Sequence, residues 1–354
     1  MIDISVVIPV YNTEKYIVEC VESVLANTQA EYEILCINDG STDSSLQLLN
    51  NLAEKHDCIK VVSQENAGQS AARNKAIEMA RGKYLYFLDS DDKIGSDALK
   101  NLLAYLEQEE LDVLYFSGSS FCDTKELEGK FKGLETAYVR KGTYQGWCSG
   151  LELMQRLREQ KDYSVSPCTQ IIRRQFLLEH DISFYEGIIH EDNLFSFQVM
   201  VNAKRADCIN DIYFYRRIRE SSVMTKPKTY ENLLGYFVCF LKMLHYVYGR
   251  ELKEEEEQAV NITLRSVKAN VKKSYLSIGK EEREKFYERL STGDRLFFKS
   301  VILQQVELEV KQNRKIKRLK KIKNSLEYKV GRVVAWPVTK IKKIIVKIGR
   351  KLHG

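Results

Sequence analysis

Three carboxylates fall within four positions at Asp89-Ser90-Asp91-Asp92, directly after the apolar run Tyr84 to Leu88. That run reads as a buried strand. Acidic side chains gathered at a strand end ask for a positive partner. A hard divalent cation, Mg²⁺ or Mn²⁺, takes oxygen ligands and shares them with substrate phosphates. The competing reading is a solvated acidic turn. Asp39 ends a second apolar run, Glu33 to Ile37. There its carboxylate could accept from the ring N–H of a pyrimidine or from a ribose hydroxyl, or it could simply turn the chain beside Gly40. Arg73 stands between small residues in an Ala-rich segment. Its guanidinium fork suits a diphosphate, and a solvated surface arginine is the alternative. Glu191-Asp192 after His190 offers a carboxylate for general-base work, or only the acidity that helix N-termini favour. His190 itself reads as structural.

The elements that must hold these residues alternate. Ile4 to Tyr11 is a β-branched run, and Asn12-Thr13 can cap a helix carrying Ile17, Val21, Val24 and Leu25. Glu33 to Ile37 is the second strand, followed by a helix with Leu46, Leu49 and Leu52. Ile59 to Ser63 is the third strand, and a helix over Gln69 to Ala80 leads into Tyr84 to Leu88. Four strand–helix alternations with short connections predict an α/β fold built on a mostly parallel sheet with helices on both faces. Ligand crevices in such sheets lie beyond the carboxyl ends of the strands, where Asp39 and Asp91 fall. Further on, the spacing predicts a helix over Ser96 to Glu110, a strand over Asp112 to Phe116, and an irregular stretch over 117–150. A helix within Val165 to His180, another over Asn193 to Val201, and a strand over Ile209 to Tyr215 follow. Arg216 to Thr225 reads as a basic loop. Arg216 and Arg219, with Ser221 and Ser222, could close over a diphosphate or lie exposed. Trp147, Tyr144 and Cys168 could line an acceptor pocket or pack in the core. Residues 229–308 read as mostly helical.

The motifs Ser5-Val-Val-Ile-Pro-Val-Tyr-Asn12, Asn38-Asp-Gly-Ser-Thr-Asp43, Asn66-Ala-Gly-Gln-Ser-Ala-Ala-Arg-Asn74 and Phe87-Leu-Asp-Ser-Asp-Asp92 occur in that order. Their order and spacing resemble family 2 glycosyltransferases, inverting nucleotide-sugar-dependent enzymes with the GT-A fold. The likeness continues more loosely through Gly187 to Asp192 and Tyr213 to Thr225, and is greatest to bacterial capsule, exopolysaccharide and cell-wall glycan enzymes. The resemblance implies that Pro9, Val10, Tyr11 and Glu14 meet the nucleotide and that Asp39 reads its base, usually uracil. Asn38 stands where the family often has Asp. It further implies Asp91 as the direct metal ligand, Asp89 beside it at the metal or on ribose or sugar hydroxyls, Ser90 between them at the donor, and Arg73 near the diphosphate or donor sugar. Asp192 matches the catalytic base, with Glu191 as its neighbour. The implied reaction moves a sugar from a nucleotide-sugar, usually a UDP-sugar, to a hydroxyl of a glycan or lipid-linked acceptor. Two other readings stand beside it: a nucleotidyltransferase on a similar sheet, and a non-catalytic sugar-nucleotide-binding scaffold.

At 354 residues the chain is long enough for more than one domain, with 44% hydrophobic and 29% charged residues as in ordinary soluble proteins. No apolar run reaches the roughly 18 residues of a membrane span. Met1-Ile2-Asp3 leads straight into a strand, so no cleaved leader is expected. Eight scattered cysteines without a Cys-x-x-Cys pair suit a reducing compartment. The net charge of +6 is unevenly spread, because residues 311–354 hold 16 Lys or Arg against one acid, Glu327. There, Ile316, Leu319, Ile322, Leu326, Val330 and Val333 step by three or four. After Trp336-Pro337 a second stripe runs through Val338, Ile341, Ile344, Ile345 and Ile348. Two basic amphipathic helices of this kind suit an anionic membrane surface, each basic residue adding about 1 kcal/mol. A helix-packing arm is the alternative, and the apolar stripe argues against a nucleic-acid arm. The expected organisation is a catalytic domain over 1–225, a helical region over 226–310 and a membrane-associating tail over 311–354. The expected location is the inner face of the cell membrane, and pairing into a homodimer is left open.

Overall fold

The structure is a computed structural model that describes residues 2–131, 133–144, 146–219 and 227–324. Four strands run in the expected places: β1 (Ile4–Val10), β2 (Tyr32–Asp39), β3 (Ile59–Gln64) and β4 (Tyr84–Phe87). The helices between them are α1 (Ile17–Leu25), α2 (Ser45–Ala53) and α3 (Gln69–Met79). After β4 come β5 (Lys93–Ile94), α4 (Ala98–Gln108), β6 (Val113–Cys122), α5 (Lys125–Lys130), α6 (Gly150–Glu159), β7 (Gln170–Arg173), α7 (Arg174–Glu179), α8 (Asp192–Asn202) and β8 (Ala206–Ile218). The strands form one sheet in the order β3-β2-β1-β4-β7-β6-β8-β5. Only β7 and β5 run against their neighbours.

Every residue of β1 is buried because both of its faces are covered. Ile4, Val6, Ile8 and Val10 pack with Val21 and Val24 of α1 and with Leu99 and Leu102 of α4. On the other face α3 lies against β1 and β2. There Phe87 meets Phe184 and Phe195 edge-on, while those two rings stack on each other at 3.9 Å.

The helix expected within Val165 to His180 is α7; ahead of it Ser166 caps a single turn at Pro167–Thr169 and the chain extends as β7 between β4 and β6, a strand not expected there. Two expectations change. The strand expected over Asp112 to Phe116 continues to Cys122 as β6, alongside β8. Arg216 belongs to β8 rather than to a loop, because residues 212–218 keep pairing with residues 117–122.

Residues Met1–Phe286 cluster as one compact unit and Tyr287–Gly354 as a second. The first unit therefore takes in α9 (Tyr230–Val247), which packs on α8, and α10 (Glu254–Ser277), which packs on α6. The division thus differs from the expected boundary near 225. After α11 (Lys280–Glu288), the second unit has α12 (Thr292–Phe297) and α13 (Gln304–Asn324), and α13 runs unbroken through residue 310. No described helix is long and apolar enough to cross a membrane. The second apolar stripe of the basic tail lies outside the described residues.

Candidate active site

The carboxyl ends of β1, β2 and β4 form a rim, and the loops there hold one another. After β1 the chain turns at Asn12 with φ 51°, and the Asn12 side chain accepts from Thr42 N at 2.8 Å. Glu14 Oε2 accepts from Ser44 N at 2.9 Å, while Asp43 Oδ2 accepts from Glu14 N at 3.0 Å. Pro9 and Val10 are buried in β1, and Tyr11 emerges from the strand end 51% exposed. A cleft of about 530 Å³ opens beside this pair of loops, lined by Asn12, Glu14, Tyr16, Asp43, Asp123 and Arg219 among others.

Asp39 sits at the rim, but its carboxylate faces inward. Oδ1 accepts from Gln64 Nε2 and Ala67 N, Oδ2 accepts from Gly68 N at 2.8 Å, and the residue is 3% exposed. It fastens the end of β2 to the loop that opens α3. Gly68 at φ 92° gives that loop the backbone angle it needs. Asn38, the departure from the family pattern, bonds Ser63 and the Ser41 amide.

Past β4 the acidic triplet divides its contacts. Asp89 Oδ1 accepts from Arg73 Nη2 at 2.7 Å and from Gln69 Nε2 at 2.8 Å. Ser90 is buried. Asp91 Oδ2 accepts from Arg219 Nε at 2.5 Å, and Asp92 Oδ1 from the Arg217 amide at 2.7 Å. Asp92 is 5% exposed; burial, then the charges of Asp91 and Asp89, push its carboxyl well above the usual range. Asp89 Oδ2 and Asp91 Oδ1 accept no hydrogen bond among the described residues, so both aspartates keep an oxygen for a hard cation. Asp89, Asp92 and Cys168 bring their ligand atoms within 4.8 Å of one another. That trio does not suit such an ion, since burial and then the Asp89 charge hold the Cys168 thiol protonated.

Arg73 is the internal counter-ion of the site. It is 2% exposed, with Nη2 on Asp89, Nη1 on Glu191 Oε1 at 3.0 Å, and its guanidinium 4.9 Å above the Phe184 ring. Both of its Nη groups serve carboxylates. The pairing spans 118 positions of sequence and joins the β4 rim to the start of α8. Burial raises the Glu191 carboxyl, and the Arg73 charge opposes that rise. Asp192, half-buried beside it, is pushed up to about 7, first by burial and then by the Glu191 charge; Arg73 and the bonds from Asn193 work the other way. Asp192 Oδ1 accepts from Asn193 N and Nδ2, and Oδ2 has no donor among the described residues.

The arrangement therefore gathers Asp39, Asp89, Asp91, Arg73, Glu191 and Asp192 around one rim. Arg216 lies on the other face of β8, its guanidinium over the Tyr138 ring at 5.5 Å and close enough to Asp92 for its charge to lower that carboxyl. Trp147 lies at the opposite edge of the sheet, because Cys148 bridges Ala206 at the start of β8, and Arg205 covers its ring at 3.8 Å. Tyr144 donates to Asp162 at 2.6 Å and closes a loop. Ser221 and Ser222 lie outside the described residues. Sequence reasoning missed Arg217, whose Nε donates to the Asp91 carbonyl at 2.9 Å and whose guanidinium also holds Glu19 and Asp123. The two-residue period of a strand would have found it: Arg217 and Arg219 share a face, whereas Arg216 points with the buried Phe214 and Ile218.

Comparison with known proteins agrees with this geometry. The family model described as Glycosyl transferase family 2 matches residues 5–180. Glycosyltransferase GlyG of Streptococcus pneumoniae is 31% identical over 231 residues, which is 62% of this chain and 72% of that protein. Poly(ribitol-phosphate) beta-N-acetylglucosaminyltransferase TarS of Staphylococcus aureus is 30% identical over 243 residues. The match takes in 66% of this chain but only 39% of that longer protein. A crystal structure of S. aureus TarS 1-349 in complex with UDP-GlcNAc superposes with a TM-score of 0.66 at 26% identity, covering 87% of this chain and 83% of that one.

Proposed function

This chain belongs to glycosyltransferase family 2, and on that premise we propose that it transfers a sugar from a UDP-sugar to a hydroxyl of a bacterial surface glycan or its lipid-linked precursor, with inversion. The observation that carries the proposal is the Arg73 bridge. Arg73 ties Asp89 to Glu191, which lies 118 positions beyond the arginine and directly precedes Asp192, so donor-side and acceptor-side carboxylates share one buried cation.

In this reading Asp192 takes the proton from the acceptor hydroxyl as that oxygen attacks the anomeric carbon. The new glycosidic bond forms on the face opposite the breaking bond to UDP, and the electron pair leaves with the diphosphate. A base with a value near 7 has the basicity for this step and is about half ionised at neutral pH. Glu191 is a positioning residue: its charge, held by Arg73, raises the neighbouring carboxyl. Pro9, Val10 and the exposed Tyr11 ring suit the wall of a nucleotide site, and Asp39 shapes it by pinning the 66–68 loop. Asp91 and Asp89 would hold Mn²⁺ or Mg²⁺ through their free oxygens, and that ion supplies positive charge for the departing diphosphate. Arg219, already at Asp91, would add a protein cation to that charge. The curated relatives named for poly(ribitol-phosphate) make a polyol-phosphate polymer one acceptor to include in any screen.

Asp192→Asn tests the assignment. UDP released from a panel of UDP-sugars with Mn²⁺ should fall by roughly 10²–10⁴-fold, with UDP affinity by calorimetry unchanged. Loss of both together would refute Asp192 as the base. Release of pyrophosphate in place of UDP would indicate nucleotidyl transfer instead.

A further inference from the structure

His190 is one of five described non-glycine residues with positive φ, at 71°, and it immediately precedes Glu191 and Asp192. A backbone held in that region persists only where its surroundings over-determine it. Asn193 of α8 donates its N and Nδ2 to the His190 carbonyl, both at 3.1 Å, and the other contacts come from α9. The His190 ring stacks on Tyr236 at 4.0 Å and 13°. Its carbonyl accepts from the Cys239 thiol at 3.3 Å, and its Nε2 lies 3.2 Å from Asn232 Nδ2. The Asn232 amide is oriented by its other end, where Oδ1 accepts from Thr229 N at 2.9 Å. The amide therefore donates to Nε2, and the ring carries its proton on Nδ1. One turn along, α9 approaches the chain so closely that a Cβ on Gly235 would lie 2.0 Å from the Ile189 carbonyl oxygen. Four successive contacts from one helix face thus fix residues 189 and 190 and set where α8 begins.

We infer that α9, which lies beyond the matched family region of residues 5–180, is a positioning element of the reaction: through Asn232, Gly235, Tyr236 and Cys239 it locks the His190 backbone and so aims Asp192 at the acceptor hydroxyl. None of these residues touches the reacting atoms in this assignment. Their work is to hold a carboxylate to within the fraction of an ångström that catalysis requires. Burial brings the His190 ring down to about 4, with the Lys228 charge adding to the effect. The ring is therefore neutral at working pH and sets no positive charge beside Asp192. The inference rests on the transferase reading given above.

Two sets of variants separate backbone aim from side-chain chemistry. Gly235→Ala must displace either α9 or Ile189, and UDP release should fall by roughly 10²-fold with UDP affinity within about twofold of the parent. At His190 the order of activity should follow tolerance of positive φ. His190→Gly and His190→Asn, which keep the backbone angle but lose the ring contacts to Asn232 and Tyr236, should fall by roughly tenfold, and β-branched His190→Val should fall well below both. Thermal unfolding of each variant identifies any that do not fold, and the His190 series still decides the matter if Gly235→Ala is among them. His190→Val as active as His190→Asn, or turnover and UDP affinity declining in step, would overturn the inference. A parent protein that fails to bind UDP, or releases none from any UDP-sugar, would instead refute the transferase reading.

Discussion

The two edges of the sheet carry the same kinds of residue and treat them oppositely. At the amino-terminal edge Glu33 is 1% exposed and accepts from Ser5 Oγ, Lys60 Nζ, Arg81 N and Arg81 Nε. Burial alone would raise this carboxyl, but those donors, Lys60 foremost, bring it down to about 2. Asp112 on the same edge accepts from the Arg173 side chain and from the amides of Lys204 and Arg205. At the carboxyl edge Asp92 has a single described donor, Asp192 has only its neighbour Asn193, and Glu191 shares Arg73 with Asp89. All three of those carboxyls are raised, burial being the largest cause in each. Burial acts on Glu33 and on these three carboxyls alike, and the donors around Glu33 reverse its sign. One edge is closed electrostatically, while the other keeps uncompensated negative charge and free oxygens, the condition in which a cation and a proton can be taken up.

The largest break in this contrast should come from Arg73→Met. Removing the cation leaves Glu191 buried and Asp89 without its partner, a defect of about 3–5 kcal/mol in chemical denaturation. Adding Glu191→Gln should recover part of the loss, because the buried charge goes with its partner. A double variant no more stable than the single one would mean that Arg73 is not the counter-ion of this edge.

The two edges should also respond oppositely to pH. Glu33 falls from its ordinary 4.5 to about 2 on folding. Its contribution is complete above about pH 4.5 and is lost as the pH drops through about 2. Asp192 rises from 3.8 to about 7, so the protonated folded form is favoured at low pH and that advantage is gone above about pH 7. Asp192→Asn should therefore stabilise the protein by about 1–3 kcal/mol at pH 8 and by almost nothing at pH 4. Glu33→Gln should destabilise it by about 1–3 kcal/mol at pH 7, with the difference shrinking toward pH 2. Urea titrations at those pH values check both signs. In the parent, UDP release should lose about tenfold per pH unit below about 7.

Much of this contrast is legible in the chain, and the illegible part has a physical cause. The β1, β2 and β4 runs, each ended by a polar turn, announce a parallel sheet and place Asp39 and Asp89 to Asp92 at one edge. β7 does not announce itself. Gln170-Ile-Ile-Arg173 is only four residues, and so short an apolar run cannot be told from a helical segment by period. The partner of Arg73 could not be read either, since Glu191 lies 118 positions away and nothing local marks the pair. α9 is legible as a helix, but its contact with the Glu191-Asp192 turn depends on one glycine, Gly235, and on the φ of one histidine. Neither follows from hydrophobic spacing.

The smallest expected effect comes from the edge where no chemistry is expected. Trp147 is 46% exposed and supports the Arg205 guanidinium at 3.8 Å, while Arg205 Nε also donates to the Glu109 carbonyl at 3.0 Å. Trp147→Ala removes the aromatic face and leaves that bond in place, so stability should fall by only about 0.5–1 kcal/mol. UDP release and acceptor KM should be unchanged, because Cys148 and Ala206 hold this corner at the amino-terminal end of β6, a sheet's length from Asp192. A Trp147→Ala protein with a raised acceptor KM would show that the acceptor reaches across to this edge. The division between a closed edge and a reactive one would then have to be redrawn.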